Sequence, residues 1–254
     1  DATGLTAYEA VPPSGVRMFT EFLREAGYYT SNSAKEDYQF APPVTGWDES
    51  SEFAHWRNRG VNQPFFSVFN FNFTHESSRF EPYGFKIDEE RFFEAGNRDF
   101  KLAGWNVRTP EEETPVLVSK DADFPIPPYL PDSETSRRDL WKTYNSLARM
   151  DEQIGAILDQ LEEDGLLENT IIFFFADHGG PLPRQKRLIY DSGLNSPMII
   201  RFPDKQNAGS TDNQLISFVD FASTLLSIAG IEPRRYMQGR AFLGQFKAKT
   251  ERRY

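Results

Sequence analysis

Two short stretches carry side chains whose types and spacing could handle a metal ion and an anion. Asp177-His178-Gly179-Gly180 directly follows an apolar run of Ile and Phe. In an open α/β sheet, ligands gather beyond the carboxyl ends of the strands. A carboxylate and an imidazole emerging there together are placed to hold a metal, and the glycines leave room for a sharp turn. The same four residues also suit a polar strand-end turn, with Asp177 capping and His178 solvated. Lys186 follows eight residues after His178, and an ammonium on that loop could reach an oxygen of a metal-bound anion. Flanked by Arg184 and Arg187, it reads equally well as solvated surface.

Two further histidines are present. His75 sits in Phe71-Asn72-Phe73-Thr74-His75-Glu76, at the end of another apolar run. A single histidine there is a structural residue or a functional one. His55, in Ala54-His55-Trp56-Arg57, has no supporting motif and reads as a packing or surface residue.

Composition narrows the chemistry. The 254 residues carry a formal net charge of −10, which argues against tracking a phosphate backbone, so nucleic acid is not an expected partner. There is no cysteine, which excludes disulfides, thiolate nucleophiles and Cys-based zinc sites and leaves the redox compartment open. No apolar run is long enough to span a bilayer. Asp1 opens the sequence with no signal-peptide pattern after it, so a processed or truncated start is expected.

The elements that must position these residues are readable from periodicity. Ser14 is placed to cap a helix over 15–26, with Val16, Phe19, Phe22, Leu23 and Ala26 on one face and Gly27 as its stop. Tyr28-Tyr29-Thr30 then begins a short strand running into Lys35. Residues 64–73 are mostly apolar and suit a strand buried on both faces. Residues 80–131 lose any period, and their prolines and the Glu111-Glu112-Glu113 cluster predict a loop-rich excursion.

From Ser133 to Asp164 the residues Leu140, Trp141, Tyr144, Leu147, Met150, Ile154, Ile157, Leu158 and Leu161 keep helical spacing, with Gly165 as the stop. Buried strands are expected over 170–176 and 197–202, and a helix over 219–229 closed by Gly230. There are no internal repeats. Strand and helix alternate, so the expected class is α/β, a mostly parallel, doubly wound sheet flanked by helices. One partial domain over 1–254 is expected.

Taken in order, these motifs resemble the sulfatase family of the alkaline-phosphatase-like superfamily. Phe175-Ala176-Asp177-His178-Gly179, then Lys186, Tyr190-Asp191-x-Gly193 and Pro197-x-Ile199-x-Arg201-x-Pro203 look like the family's C-terminal signature, with Asp191 where glutamate is usual. Ser217-Phe218-Val219-Asp220, Leu225 to Gly230, and Gly239-Arg240 resemble the stretches that follow. Upstream, Phe22 to Thr30 and Lys35 resemble the family's helix, Gly-Tyr-x-Thr and Gly-Lys-x-His. Ala34 stands for that glycine and Asp37 for that histidine. The resemblance spans 11–244.

The resemblance implies that Lys35, His75 and Lys186 act on the sulfate group, with His75 or Lys186 near the leaving group. It implies that Asp177 and His178 bind a divalent metal, Ca2+. It also implies a formylglycine, formed in a Cys- or Ser-x-Pro-x-Arg segment, which attacks sulfur; Val11-Pro12-Pro13-Ser14-Gly15 does not fit that pattern. The nucleophile and a first-strand aspartate pair are therefore expected upstream of Asp1, and this stretch by itself is expected to bind metal weakly and hydrolyse nothing. The implied substrate is a sulfated carbohydrate, as sulfate ester or N-sulfate. Export is implied as well, to the periplasm or outside.

Two rivals stand beside this reading. One is a phosphatase, phosphodiesterase or phosphonate hydrolase of the same superfamily, whose two-metal site would need more histidines than the three present. The other is a non-catalytic binding protein derived from a sulfatase. Trp47, Trp56 and Trp105 are candidates for stacking on sugar rings.

Overall fold

A computed structural model describes residues 11–33, 35–79, 83, 85–87, 106–108 and 114–252. The chain divides into two compact units, Asp1–Phe69 with Ser210–Tyr254, and Asn70–Gly209.

The first unit is built on a parallel sheet. β1 (Tyr29–Ser33) pairs on one side with β2 (Glu49–Ser50) and on the other with β3 (Phe65–Phe69), in a register that sets Tyr29 opposite Phe65 and Ser33 opposite Phe69. Helices α1 (Phe19–Glu25) and α4 (Val219–Ile228) belong to the same unit. Phe22, Leu23 and Leu226 form its buried centre, with Phe19, Tyr28, Phe66, Ala229, Ile231 and Met237 packed around them. This sheet flanked by helices bears out the α/β class.

The start of α1 differs from expectation. Residues 13–16 form a turn closed by Val16 N–H to the Pro13 carbonyl, and Gly15 sits at φ +88°. A left-handed residue cannot continue a right-handed helix. The helix therefore begins at Phe19, and the Glu21 carboxylate accepts the Met18 N–H at 2.8 Å in place of a serine cap.

Unit two is organised by α2 (Glu134–Glu163), capped by the Ser133 side chain, which accepts the Ser136 N–H. Leu140 and Trp141 on α2 pack with Tyr83, Phe124 and Leu182. Asn145, fully buried, accepts from the Leu117 and Val118 amides and donates to the Pro115 carbonyl, tying an irregular segment to the helix. β6 (Ile172–Phe175) and β7 (Met198–Arg201) fall where strands were expected.

They pair antiparallel, however, and are half-buried rather than enclosed on both faces. A parallel return needs a crossover, usually helical. The connecting segment has only the four-residue α3 (Asp191–Leu194) and turns back instead. Among the described residues β6 and β7 pair only with each other, which leaves Ile199 at 64% exposure.

Glycines stop the three longer helices in one way. After α1, Gly27 N–H bonds the Arg24 carbonyl and Tyr28 N–H the Leu23 carbonyl; Gly165 with Leu166 and Gly230 with Ile231 repeat the pattern. Each glycine has positive φ, as this motif requires. β4 (Phe85–Ile87) and β5 (Asn106–Arg108) form an antiparallel pair. Most of the expected loop-rich 80–131 stretch, with Trp105, lies outside the described residues. No helix among those described is long and apolar enough to cross a membrane.

Candidate active site

The second unit brings four of the five expected site residues into one group of loops. β6 ends at Phe175, and Asp177-His178-Gly179-Gly180 follows directly. The segment 185–193 then folds back on it. Lys186 N–H bonds the Gly180 carbonyl at 3.1 Å, and Gly179 N–H bonds the Gly193 carbonyl at 3.0 Å. The contact is so close that a Cβ on Gly179 would lie 1.9 Å from the Ser192 carbonyl oxygen. Only glycine fits there.

His75 reaches this group from the other side of the unit's sequence. It ends the short 3-10 turn Asn72–Thr74 and precedes a second, Glu76–Arg79. Lys186 Nζ lies 3.0 Å from His75 Nε2 although 111 residues separate them. An ammonium only donates, so Nε2 is the acceptor. The other ring nitrogen, Nδ1, lies 2.7 Å from Ser77 Oγ and accepts the Ser77 backbone N–H at 3.3 Å. Ser77 thus anchors one edge of the ring while Lys186 meets the other.

Acidic and basic neighbours complete the cluster. Glu76 Oε1 lies 3.6 Å from Lys186 Nζ, and the Glu76 carboxylate takes two hydrogen bonds from Arg187. Arg187, foremost through those hydrogen bonds, holds the Glu76 carboxyl down to about 2. Arg79 donates to the Pro181 carbonyl, joining the turn after His75 to the loop after His178. Arg184 lies over both the Tyr129 and Tyr190 rings. Of these neighbours, Glu76, Ser77 and Arg79 were not singled out from sequence. Glu76 and Ser77 adjoin His75, which is the one signal that could have found them.

Asp177 and His178 form a side-by-side donor pair. His178 Nδ1 is 2.8 Å from the Gly179 carbonyl, which can only accept, so Nδ1 carries a proton. Nε2 then faces Asp177 Oδ2 at 3.2 Å. In the neutral imidazole these are two electron-pair donors beside each other, and Asp177 is largely exposed. That arrangement suits two ligands of one cation. Calcium takes six to eight oxygen-rich ligands, and no group of three or more His, Asp or Glu suited to a metal occurs among the described residues. The pair fits as part of a site, not as a whole one.

Lys35, the fifth residue, belongs to the first unit. It follows β1, is half-buried, and lies 3.6 Å from Asp37 Oδ2. His55 is fully buried, its ring against Trp56 and Phe69 and its Nδ1 accepting the Arg57 N–H, so it is a packing residue. Trp56 is 1% exposed between Phe65 and Phe69, which removes it as a sugar platform. Trp47 is half-buried and donates to the Tyr38 hydroxyl. A surface depression of about 370 Å³ in this unit is lined by none of the expected site residues. Its charges already pair, Arg17 with Glu25 and Arg24 with Asp48.

A model of the sulfatase family matches residues 6–231. The chain belongs to the sulfatase family. It is 63% identical, over 99% of its own length and 43% of the relative's, to an ulvan-active sulfatase of Formosa agariphila. It thus spans under half of that sulfatase. Two solved structures share the fold. One, from the glycosaminoglycan metabolism of Bacteroides thetaiotaomicron, superposes with a TM-score of 0.62 at 18% identity, covering 98% of this chain and 60% of that one. The other, a complex with its substrate D-glucosamine-2-N,6-O-disulfate, gives 0.59 at 20% identity, covering 96% and 68%.

Proposed function

We propose that this sulfatase-family chain is part of a hydrolase that releases sulfate from a sulfated carbohydrate, cleaving a sulfate ester or an N-sulfate. The observation that carries the reading is the Lys186 ammonium, 3.0 Å from His75 Nε2 on the loop that follows Asp177-His178. The names of the relatives support the substrate class: one acts on ulvan, and one was solved with a disulfated glucosamine.

Hydrolysis of a sulfate monoester needs a nucleophile at sulfur, positive charge on the nonbridging oxygens and a proton for the leaving oxygen. In this reading the attacking hydroxyl belongs to a formylglycine outside these 254 residues. Lys186 supplies charge to the oxygens. One of its three N–H donors is taken by His75, so it has donors left for an anion. His75 and Lys186 stand together near the leaving oxygen, and the Lys186 ammonium, held by His75 Nε2, carries the proton that the departing oxygen takes. Asp177 and His178 would contribute two ligands to a calcium ion, which when bound neutralises further negative charge on the sulfate.

The test uses the full-length protein with ulvan oligosaccharides and O- and N-sulfated glucosamine, with released sulfate read by ion chromatography. Sulfate release that needs added calcium is the expected result. Faster release of phosphate from an aryl phosphate than of sulfate from every sulfated saccharide would overturn the reading.

A further inference from the structure

Glu76 is an acidic residue placed among groups assigned to bind an anion. A carboxylate there competes with the substrate for Lys186, so its position needs a reason. Charge counting supplies one. Glu76 faces two cations, Lys186 at 3.6 Å and Arg187 through two hydrogen bonds. The trio keeps a net positive charge, so it still attracts sulfate while the carboxylate fixes where the cations lie.

The backbone points the same way. Arg184 and Arg187 bracket Lys186, and both adopt left-handed φ, +64° and +70°. Non-glycine residues avoid that region unless the surroundings impose it, and such residues cluster where geometry matters for function. The surroundings are visible. Ser192 Oγ holds the Arg184 carbonyl at 2.6 Å, and Glu76 grips Arg187. The turn that carries Glu76 is itself anchored, with Ser78 Oγ on the Asn72 carbonyl and Arg79 on the Pro181 carbonyl. A fixed carboxylate therefore meets a loop held in an unfavourable shape.

We propose that Glu76 is a positioning residue whose carboxylate, oriented by Arg187, holds the Lys186 ammonium against His75 Nε2 in the sulfate-binding geometry. The proposal rests on the sulfatase reading. Because the Arg187 hydrogen bonds keep the Glu76 carboxyl at about 2, it is charged at any pH near neutrality.

The experiment compares wild type, Glu76→Gln, Glu76→Asp and the charge swap Glu76→Arg with Arg187→Glu, all in the full-length protein, for sulfate release and thermal midpoint. Misplacement of a reacting group by about 1 Å costs on the order of a hundredfold. Glu76→Gln is therefore expected to lower kcat about ten- to a hundredfold with a much smaller change in KM, and Glu76→Asp to recover part of it. The swap restores an Arg–Glu tie between the same two segments but sets a cation beside Lys186. It should recover the thermal midpoint and leave turnover at or below that of Glu76→Gln. Recovery of both by the swap would reduce Glu76 to a structural tie and overturn the proposal. Wild-type kcat in Glu76→Gln would overturn it too, with the sulfatase reading intact. No sulfate release by the wild type would end both.

Discussion

Glu76 and Asp220 are two carboxylates, each gripped by an arginine through two nitrogens, and their surroundings divide them. Asp220 is 2% exposed at the start of α4. Its oxygens accept from Arg252 Nη2 at 2.6 Å and Nε at 3.2 Å, from Arg240 N–H at 2.8 Å and from Ser217 N–H at 3.0 Å. Burial alone would push its carboxyl up; the Arg252 guanidinium and the two amides outweigh that and hold it below the usual range. Every acceptor position is occupied by the protein, so nothing is left for a ligand. Glu76 is less enclosed, and its partners are the side-chain cations of Lys186 and Arg187, on a loop of unusual backbone shape. A fully satisfied carboxylate fastens the chain. One that shares two cations can tune a site.

Four expectations sharpen or break this contrast. The largest is Lys186→Ala in the full-length protein. Removing a charged donor from a developing negative charge costs about 10²–10³ in kcat, with little change in thermal midpoint because the side chain only bonds other site residues. A loss of stability as large as the loss of rate would make Lys186 structural.

Asp220→Asn follows. Losing a buried, hydrogen-bonded ion pair costs 3–5 kcal/mol when both partners are enclosed; Arg252 is 28% exposed, so roughly 2–3 kcal/mol is expected from urea unfolding. Turnover per folded molecule should hold.

A third expectation concerns acid. The folded-state pKa of Glu76 is about 2 against an ordinary 4.5, so the contact contributes fully above about pH 4.5 and is lost as pH falls towards 2. The urea-midpoint difference between wild type and Glu76→Gln should be level above pH 4.5 and close below it. A difference that survives at pH 2 would show that charge is not its source.

Asp37→Ala is the smallest. Its pair with Lys35 is exposed and 3.6 Å long, so under about 1 kcal/mol is expected in stability. A drop in turnover beyond about fivefold, the kinetic equivalent of that energy, would give Asp37 a role that the family histidine usually has.

Much of this was legible before any coordinates. The three glycine stops at 27, 165 and 230 follow from local chemistry, which a sequence displays directly, and on α2 Leu140, Trp141, Ile157 and Leu161 are buried as their spacing implies, though Tyr144 and Leu147 of the same set are exposed. Lys186 and His75 were marked because each lies next to a predicted strand or its following loop. What escaped notice was contact over distance. Glu76 and Arg187 are 111 residues apart, and nothing in either neighbourhood signals the other. The α1 start was misjudged because Ser14 has the side chain of a cap while Gly15 takes a backbone shape that forbids one. Trp56 reads as a candidate sugar platform because an aromatic ring in a predicted loop looks alike whether it faces water or, as here, Phe65 and Phe69.

The meeting of Gly179 and Gly193 has a wider consequence. A Cβ on Gly179 would come within 2.7 Å of the Gly193 Cα, and one on Gly193 would strike the Leu188 carbonyl oxygen at 2.2 Å. The Asp-His-Gly and Tyr-Asp-x-Gly motifs, which look like separate signatures along the chain, are therefore two jaws of one hinge-free clasp. A side chain at Gly179 would pry the two apart, and one at Gly193 would distort its own jaw, so the two motifs should be engineered as a single unit.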